Sequence, residues 1–284
     1  MRNNIRESLF VKRETYDTLH ASRGTHHMLF KISILTSLIF SVIYPLCFWI
    51  SYKDPLKNNF HKFHIGLPNI VGGITLVFLL LLDIPSPIKI LAVLWKLSFL
   101  SVSSYSWKKE YPKPLLMTVP CALGIITFAK VQEALIGPGL TLTIISILAG
   151  LIFCSSLFAM NLGHWYLNVH GLPMSHLARA TYTFWLLVLL RFIWDAYVLL
   201  TGHILYSGDS LYIWQFMMKT DGFFLLIAIF FGTMFPLVSL YFATETLKLK
   251  NTQATTGILY VILCGVILGD LTYKYYLIKF GIAL

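Results

Sequence analysis

Charge-free apolar runs recur along the whole chain, and most come close to the ~20 residues that an α-helix needs to cross a hydrocarbon core about 30 Å thick. No charge falls between Lys31 and Lys53, so Ile32 to Tyr52 reads as the first span, with Pro45 tolerated because neighbouring helices can satisfy the freed carbonyl. Ile65 to Leu82 is the second, opened by Gly66 and Pro68 and closed by Asp83, Pro85 and Pro87. The third runs from about 87 to 106, contains Lys96, and ends in an aromatic belt of Tyr105 and Trp107 ahead of Lys108 and Lys109. Pro114 to Phe128 is the fourth and the shortest. Lys130, Gln132 and Glu133 follow it, so it spans only if those groups face protein or reach back to the boundary.

Gly137-Pro138-Gly139 is the clearest breaker, and from Leu140 the chain runs without formal charge into GHWYL at 163–167, the fifth span. The sixth extends from about Ala180 to Leu200 and carries Arg191 and Asp195. The seventh is Gly222 to Thr244, with Pro236 as an expected kink, and the eighth begins near Thr256 and meets Asp270. Backbone groups in lipid must be bonded within the protein, so only helices and closed barrels cross a membrane. No stretch alternates as a barrel strand does, and no repeat period is visible. The expectation is an all-α polytopic transmembrane bundle of about eight spans, a single domain over 32–284.

Composition agrees. Hydrophobic residues make up 57% and charged ones 12%, about half the ~25% of a soluble domain, which excludes a soluble monomer. The 22 Lys+Arg against 12 Asp+Glu would suggest nucleic acid in a soluble protein. Here the basic residues lie mostly between apolar runs, where they meet anionic lipid headgroups, and nucleic acid has no footing. Cys47, Cys121, Cys154 and Cys264 lack paired spacing and read as small core residues.

Residues 1–31 are polar and carry both signs of charge, without the apolar core of a signal peptide. Ile5, Leu9, Phe10 and Leu19 would let this segment lie along the interface as a short helix. With eight spans the faces alternate. Of the 22 Lys+Arg, eleven fall on the face where the first span begins and nine on the other, with Lys96 and Arg191 inside, a slight bias toward cytoplasmic termini.

That alternation sorts the polar residues into two layers. His61, His64, His164, His170, His176 and Glu245 all fall toward the second face. Neutral imidazole is a common metal ligand and can hold haem iron axially, so histidines from separate helices at one depth are what such a centre requires. His164, with His61, His64 or His170 as second ligand, is the candidate for a b-type haem or metal, and Asn161, three residues earlier, could hold its other ring nitrogen. The plainer account is that histidines beside Trp165 and Tyr166 are interfacial anchors. No H-E-x-x-H or H-x-x-E-H string is present, so a zinc-protease helix is unsupported.

The second layer lies deeper: Arg191 with Asp195, Asp270 with Lys274, and Lys130 with Glu133 at its margin. The first two pairs are spaced i, i+4 and can neutralise themselves on one helix face. They either fix helix rotation or carry a proton or ion. ETLKLKNTQATTGILY at 245–260 reads as a polar helix start, with Asn251 or Thr252 as cap and Gly257 allowing close approach. Walker A, G-x-G-x-x-G, G-x-S-x-G and C-x-x-C-H strings are absent. GHWYLNVHGLP at 163–173 has the texture of bacterial multi-pass proteins but identifies no family, so an inner-membrane location is expected.

Three functional classes follow. The first is a redox subunit with haem b or another metal at His164 and a proton relay through Arg191, Asp195 and Asp270, with Glu245 as a further acid–base candidate, working with other membrane subunits or a quinone. The second is a proton- or ion-coupled transporter using the same charges, although no matched Gly/Pro-broken helices mark two halves. The third is a non-catalytic partner or lipid-handling subunit.

Overall fold

The computed structural model describes residues 27–52, 60–110, 112–169 and 172–284. The interfacial segment expected at the N-terminus lies almost wholly outside them, as does His170. Among the described residues eight helices are long and apolar enough to cross a membrane, and the chain is a multi-pass membrane protein built as an all-α bundle. These are α1 (His27–Ser51), α2 (Phe60–Leu81), α3 (Ser86–Trp107), α4 (Pro114–Leu135), α5 (Leu140–Asn168) and α6 (Ser175–Thr201), then α8 (Phe223–Lys248) and α9 (Thr252–Phe280). Between α6 and α8 come β1 (His203–Tyr206), β2 (Asp209–Tyr212) and the short α7 (Ile213–Phe216).

Several boundaries differ from the sequence expectation for identifiable reasons. The first span begins at His27, so the last polar residues before Ile32 are already helical. Its final part, Tyr44–Ser51, tightens to a 3-10 helix at Pro45, a residue with no N–H to give to the α-helical ladder. The fourth span is complete: α4 continues through Lys130, Gln132 and Glu133, with Lys130 and Glu133 paired at 2.8 Å on the exposed surface. They therefore stand apart from the deeper charge layer. In α8 the kink expected at Pro236 is a π-turn over Phe230–Met234. Pro236 cannot donate to the carbonyl of Gly232 one turn back, and the wider turn accommodates the loss.

The hairpin was not anticipated. Its strands pair antiparallel with His203 opposite Tyr212, and Ser207 and Gly208 both adopt positive φ (55° and 92°), the type I′ geometry that matches strand twist. Tyr206 donates a 2.9 Å hydrogen bond to Asp221, which ties the hairpin to the loop before α8 and raises the phenol above its ordinary range.

α1 runs through the middle of the bundle, against α2, α4, α5 and α6, with Leu38, Ile39 and Val42 fully buried. Small residues set the spacing: a Cβ on Gly150 of α5 would stand 2.5 Å from Ile39 Cγ1, so only glycine lets α5 approach α1 this closely. The closest seam joins α8 to α9, where a Cβ on Gly269 would lie 2.2 Å from Gly232 Cα. A second apolar cluster, with Phe216, Leu225 and Tyr276 at its centre, packs α7 and the hairpin onto the first-face ends of α8 and α9. α9 is capped as expected by Asn251, whose side chain accepts from the Ala254 N–H at 2.9 Å. Asn251→Ala is expected to cost about 1 kcal/mol, read as a lower unfolding midpoint in detergent; an unchanged midpoint would show the cap to be dispensable.

Candidate functional site

The deep layer converges into one site. Arg191 and Asp195 are one turn apart on α6 and form an ion pair at 2.9 Å from Nε to Oδ1, with 2% and 1% of their surfaces exposed. Asp195 Oδ2 accepts from Thr233 Oγ1 at 2.6 Å and from Tyr273 OH at 2.7 Å, and those two hydroxyls are 2.9 Å from each other. The Arg191 guanidinium lies 4.0 Å from the centre of the Tyr273 ring, a cation–π contact in a dry setting. On α9, Lys274 grips both carboxylate oxygens of Asp270, and this pair is buried too.

Geometry within each helix makes this possible. The spacings 191/195 and 270/274 put each pair on one face, and Tyr273 at i+3 from Asp270 shares that face. Thr233 falls inside the π-turn, close to the Gly232–Gly269 approach that draws α8 against α9. Arg191, Thr233 and Asp270 each lie about ten residues from the helix ends at Thr201, Phe223 and Phe280. At 1.5 Å per residue that is roughly 15 Å of helix, near the middle of a bilayer core.

One member of each pair, Arg191 and Asp270, lines a cavity of about 10 Å³ together with Gly232 and Tyr273, and Ala149, Ile152 and Val266 are its apolar walls. A second, of about 20 Å³, continues past Asp270, Tyr273 and Lys274 toward the first face. The first is about the size of one water. Arg191 Nη2 is buried with no hydrogen-bond partner.

Among the described residues the histidines do not gather. His64 is buried and its Nδ1 lies 2.7 Å from Tyr44 OH, which also receives a 3.2 Å bond from Asn161. Asn161 thus serves Tyr44 and not His164. His61 is buried, with its ring facing the backbone of Trp107 at the end of α3. His176 is buried beside Arg179, whose Nη2 lies 2.9 Å from Nδ1. His164 is exposed on α5 and faces α9, its Nδ1 3.2 Å from Tyr260 OH. Glu245 pairs with Lys248 at 2.7 Å on the exposed end of α8, away from the buried charges it was grouped with as an acid–base candidate.

An axially held haem needs an imidazole with a free nitrogen and room for a flat macrocycle beside it. Around His64 the rings of Phe60, Phe158 and Tyr44 stand 4.0, 5.2 and 5.6 Å away, centre to centre, and Nδ1 is taken. With His164 on the outer surface, His64 and His164 do not face each other across a space for a haem; another candidate ligand, His170, lies outside the described residues. Among the described residues no group of three or more His, Cys, Asp or Glu could hold a metal ion.

Thr233, Tyr273 and Tyr44 escaped the sequence reading. The spacing of Tyr273 from Asp270 was a usable signal, whereas Thr233 is an unremarked hydroxyl three residues before a proline. Lys96 also finds its partner here: Nζ donates to the Asn69 carbonyl at 2.6 Å and to its side-chain oxygen at 3.1 Å, linking α3 to α2.

Fold and site together define the class, a multi-pass membrane protein with two buried ion pairs about ten residues in from the helix ends. Comparison with protein-family models, curated proteins and solved structures finds no match.

Proposed function

We propose that the protein is an ion-coupled secondary transporter of a bacterial inner membrane, with Arg191, Asp195, Asp270 and Lys274 as the site where the coupling ion acts. A charge at the bilayer centre costs about 2.5–3.5 kcal/mol even on the lenient insertion scale, so four of them need a purpose or complete mutual satisfaction. The observation that carries the reading is a water-sized cavity lined by one member of each pair, Arg191 and Asp270, with Arg191 Nη2 making no hydrogen bond to another described residue. Pairs serving only to fix helix rotation need no polar cavity between them. The π-turn at Thr233 adds a point where α8 can repack. A redox function at His164 gains no support from the ring packing around the histidines.

Ion binding inside the membrane field displaces charge even when no substrate is present. Concentration jumps of H⁺, Na⁺ or K⁺ on protein-loaded solid-supported membranes are expected to give transient currents, at least tenfold smaller in Asp195→Asn and Asp270→Asn. Absence of any protein-dependent current for all three ions would contradict the reading.

A further inference from the structure

Asp195 Oδ2, Thr233 Oγ1 and Tyr273 OH form a closed triangle with sides of 2.6, 2.7 and 2.9 Å. Each side is short enough for a hydrogen bond, and three such bonds need three protons. The hydroxyls supply only two, because each carries a single O–H. With Asp195 ionised, both hydroxyls point at its oxygen and the Thr233–Tyr273 side has no proton to occupy it. With Asp195 protonated, every side is filled: Asp195 donates to Tyr273, Tyr273 to Thr233, and Thr233 back to Asp195.

Resting on the ion-coupling reading above, we propose that the coupling ion is the proton and that Asp195 is the residue that loads it, closing a three-oxygen ring with Thr233 and Tyr273. The donor set favours a proton over an alkali cation. A hard cation needs a shell of oxygen acceptors, but the carboxylate oxygens here are met by the Arg191 Nε–H, the Lys274 ammonium and two hydroxyls.

In the loading step a lone pair of Oδ2 forms the new O–H bond, the O–H bond of the aqueous donor breaks and leaves its pair on the donor oxygen, and nothing is oxidised or reduced. Of the three ring residues Tyr273 lines both small cavities, with Asp270 beside it in each, so the aqueous donor reaches the ring through the Tyr273 hydroxyl. Arg191 on α6, Thr233 on α8, and Tyr273, Asp270 and Lys274 on α9 face the site. α5 contributes the uncharged, buried thiol of Cys154, which lies within the electrostatic reach of Asp270 and Lys274, and the apolar Ala149 and Ile152.

Loading turns the neutral group of four into one with a net positive charge. Arg191 loses its counter-ion and is left with Asp270, across the cavity its free Nη2 borders. Loading therefore favours any conformation that holds this net positive charge better than the present one, which is how differential binding would couple the proton to a change of shape.

Infrared difference spectroscopy of the full chain in liposomes, stepped from neutral to acid pH, tests this. A carboxylic-acid C=O band is expected to appear, to shift down in D₂O, to vanish in Asp195→Asn, and to move to higher wavenumber in Tyr273→Phe and Thr233→Val, which remove hydrogen-bond partners. The D₂O shift is read on the unaltered protein, so it does not depend on any variant folding. A band unaffected by Asp195→Asn, or no such band at all, overturns the proposal. If Na⁺ or K⁺ jumps give transient currents and H⁺ jumps do not, proton loading falls while ion coupling stands. If no ion gives a current, both fall together.

Discussion

Arg191→Ala is expected to lower stability by about 3–5 kcal/mol, the usual cost of removing one partner from a buried ion pair. The loss has an identifiable source. Asp195 has 1% of its surface exposed and would keep the Thr233 and Tyr273 hydroxyls while losing its only cation at bonding distance. The cation–π contact with Tyr273 would go as well. Unfolding in detergent gives the number, and the double variant Arg191→Met/Asp195→Leu separates the causes. It removes both charges at once and is expected to recover most of the loss, because an uncompensated buried charge costs more than the pair contributes. A loss below about 1 kcal/mol in the single variant would mean that the pair is hydrated.

The second large effect is steric. Gly269→Ala places a Cβ 2.2 Å from Gly232 Cα and 2.5 Å from its nitrogen, both backbone atoms that cannot rotate away. α8 must then move off α9, at a cost of about 1–3 kcal/mol for overpacking. Because Thr233 follows Gly232, that movement also pulls its hydroxyl from Asp195. Gly269→Ala is therefore expected to lose the transient ion current along with stability, whereas Gly257→Ala, with open space around it, should lose neither. Unchanged stability in Gly269→Ala would show that the seam is looser than described.

Much of this was legible in the chain. The charge-free runs gave the eight spans because backbone desolvation leaves a long apolar segment no alternative to the helix. The i, i+4 spacing of Arg191 with Asp195 and of Asp270 with Lys274 identified both pairs correctly. What spacing could not give was the rotation of one helix against another. His164 and His64 lie toward one membrane face, as alternation requires, yet His164 turns outward to Tyr260 while His64 turns inward to Tyr44. Membrane depth is fixed by counting spans, but facing is fixed by packing, and packing depends on small residues such as Gly150, Gly232 and Gly269, whose partners are far away in sequence. Lys130 was placed at the margin of the deep layer and Glu245 with the histidines for the same reason, and both lie in exposed ion pairs. The hairpin was missed because Ser-Gly is a weaker turn signal than Asn-Gly and its strands are only four residues each.

Joining the α6 pair and the α9 pair into one functional unit is the central claim, and a double-mutant cycle between helices tests it most directly. Arg191→Met, Asp270→Asn and their combination would be compared by unfolding free energy in detergent. Residues that share the cavity and respond to one another are expected to show a coupling of about 1 kcal/mol or more. If the two losses add to within about 0.5 kcal/mol, the pairs are independent braces on neighbouring helices, and the coupling site proposed here does not exist.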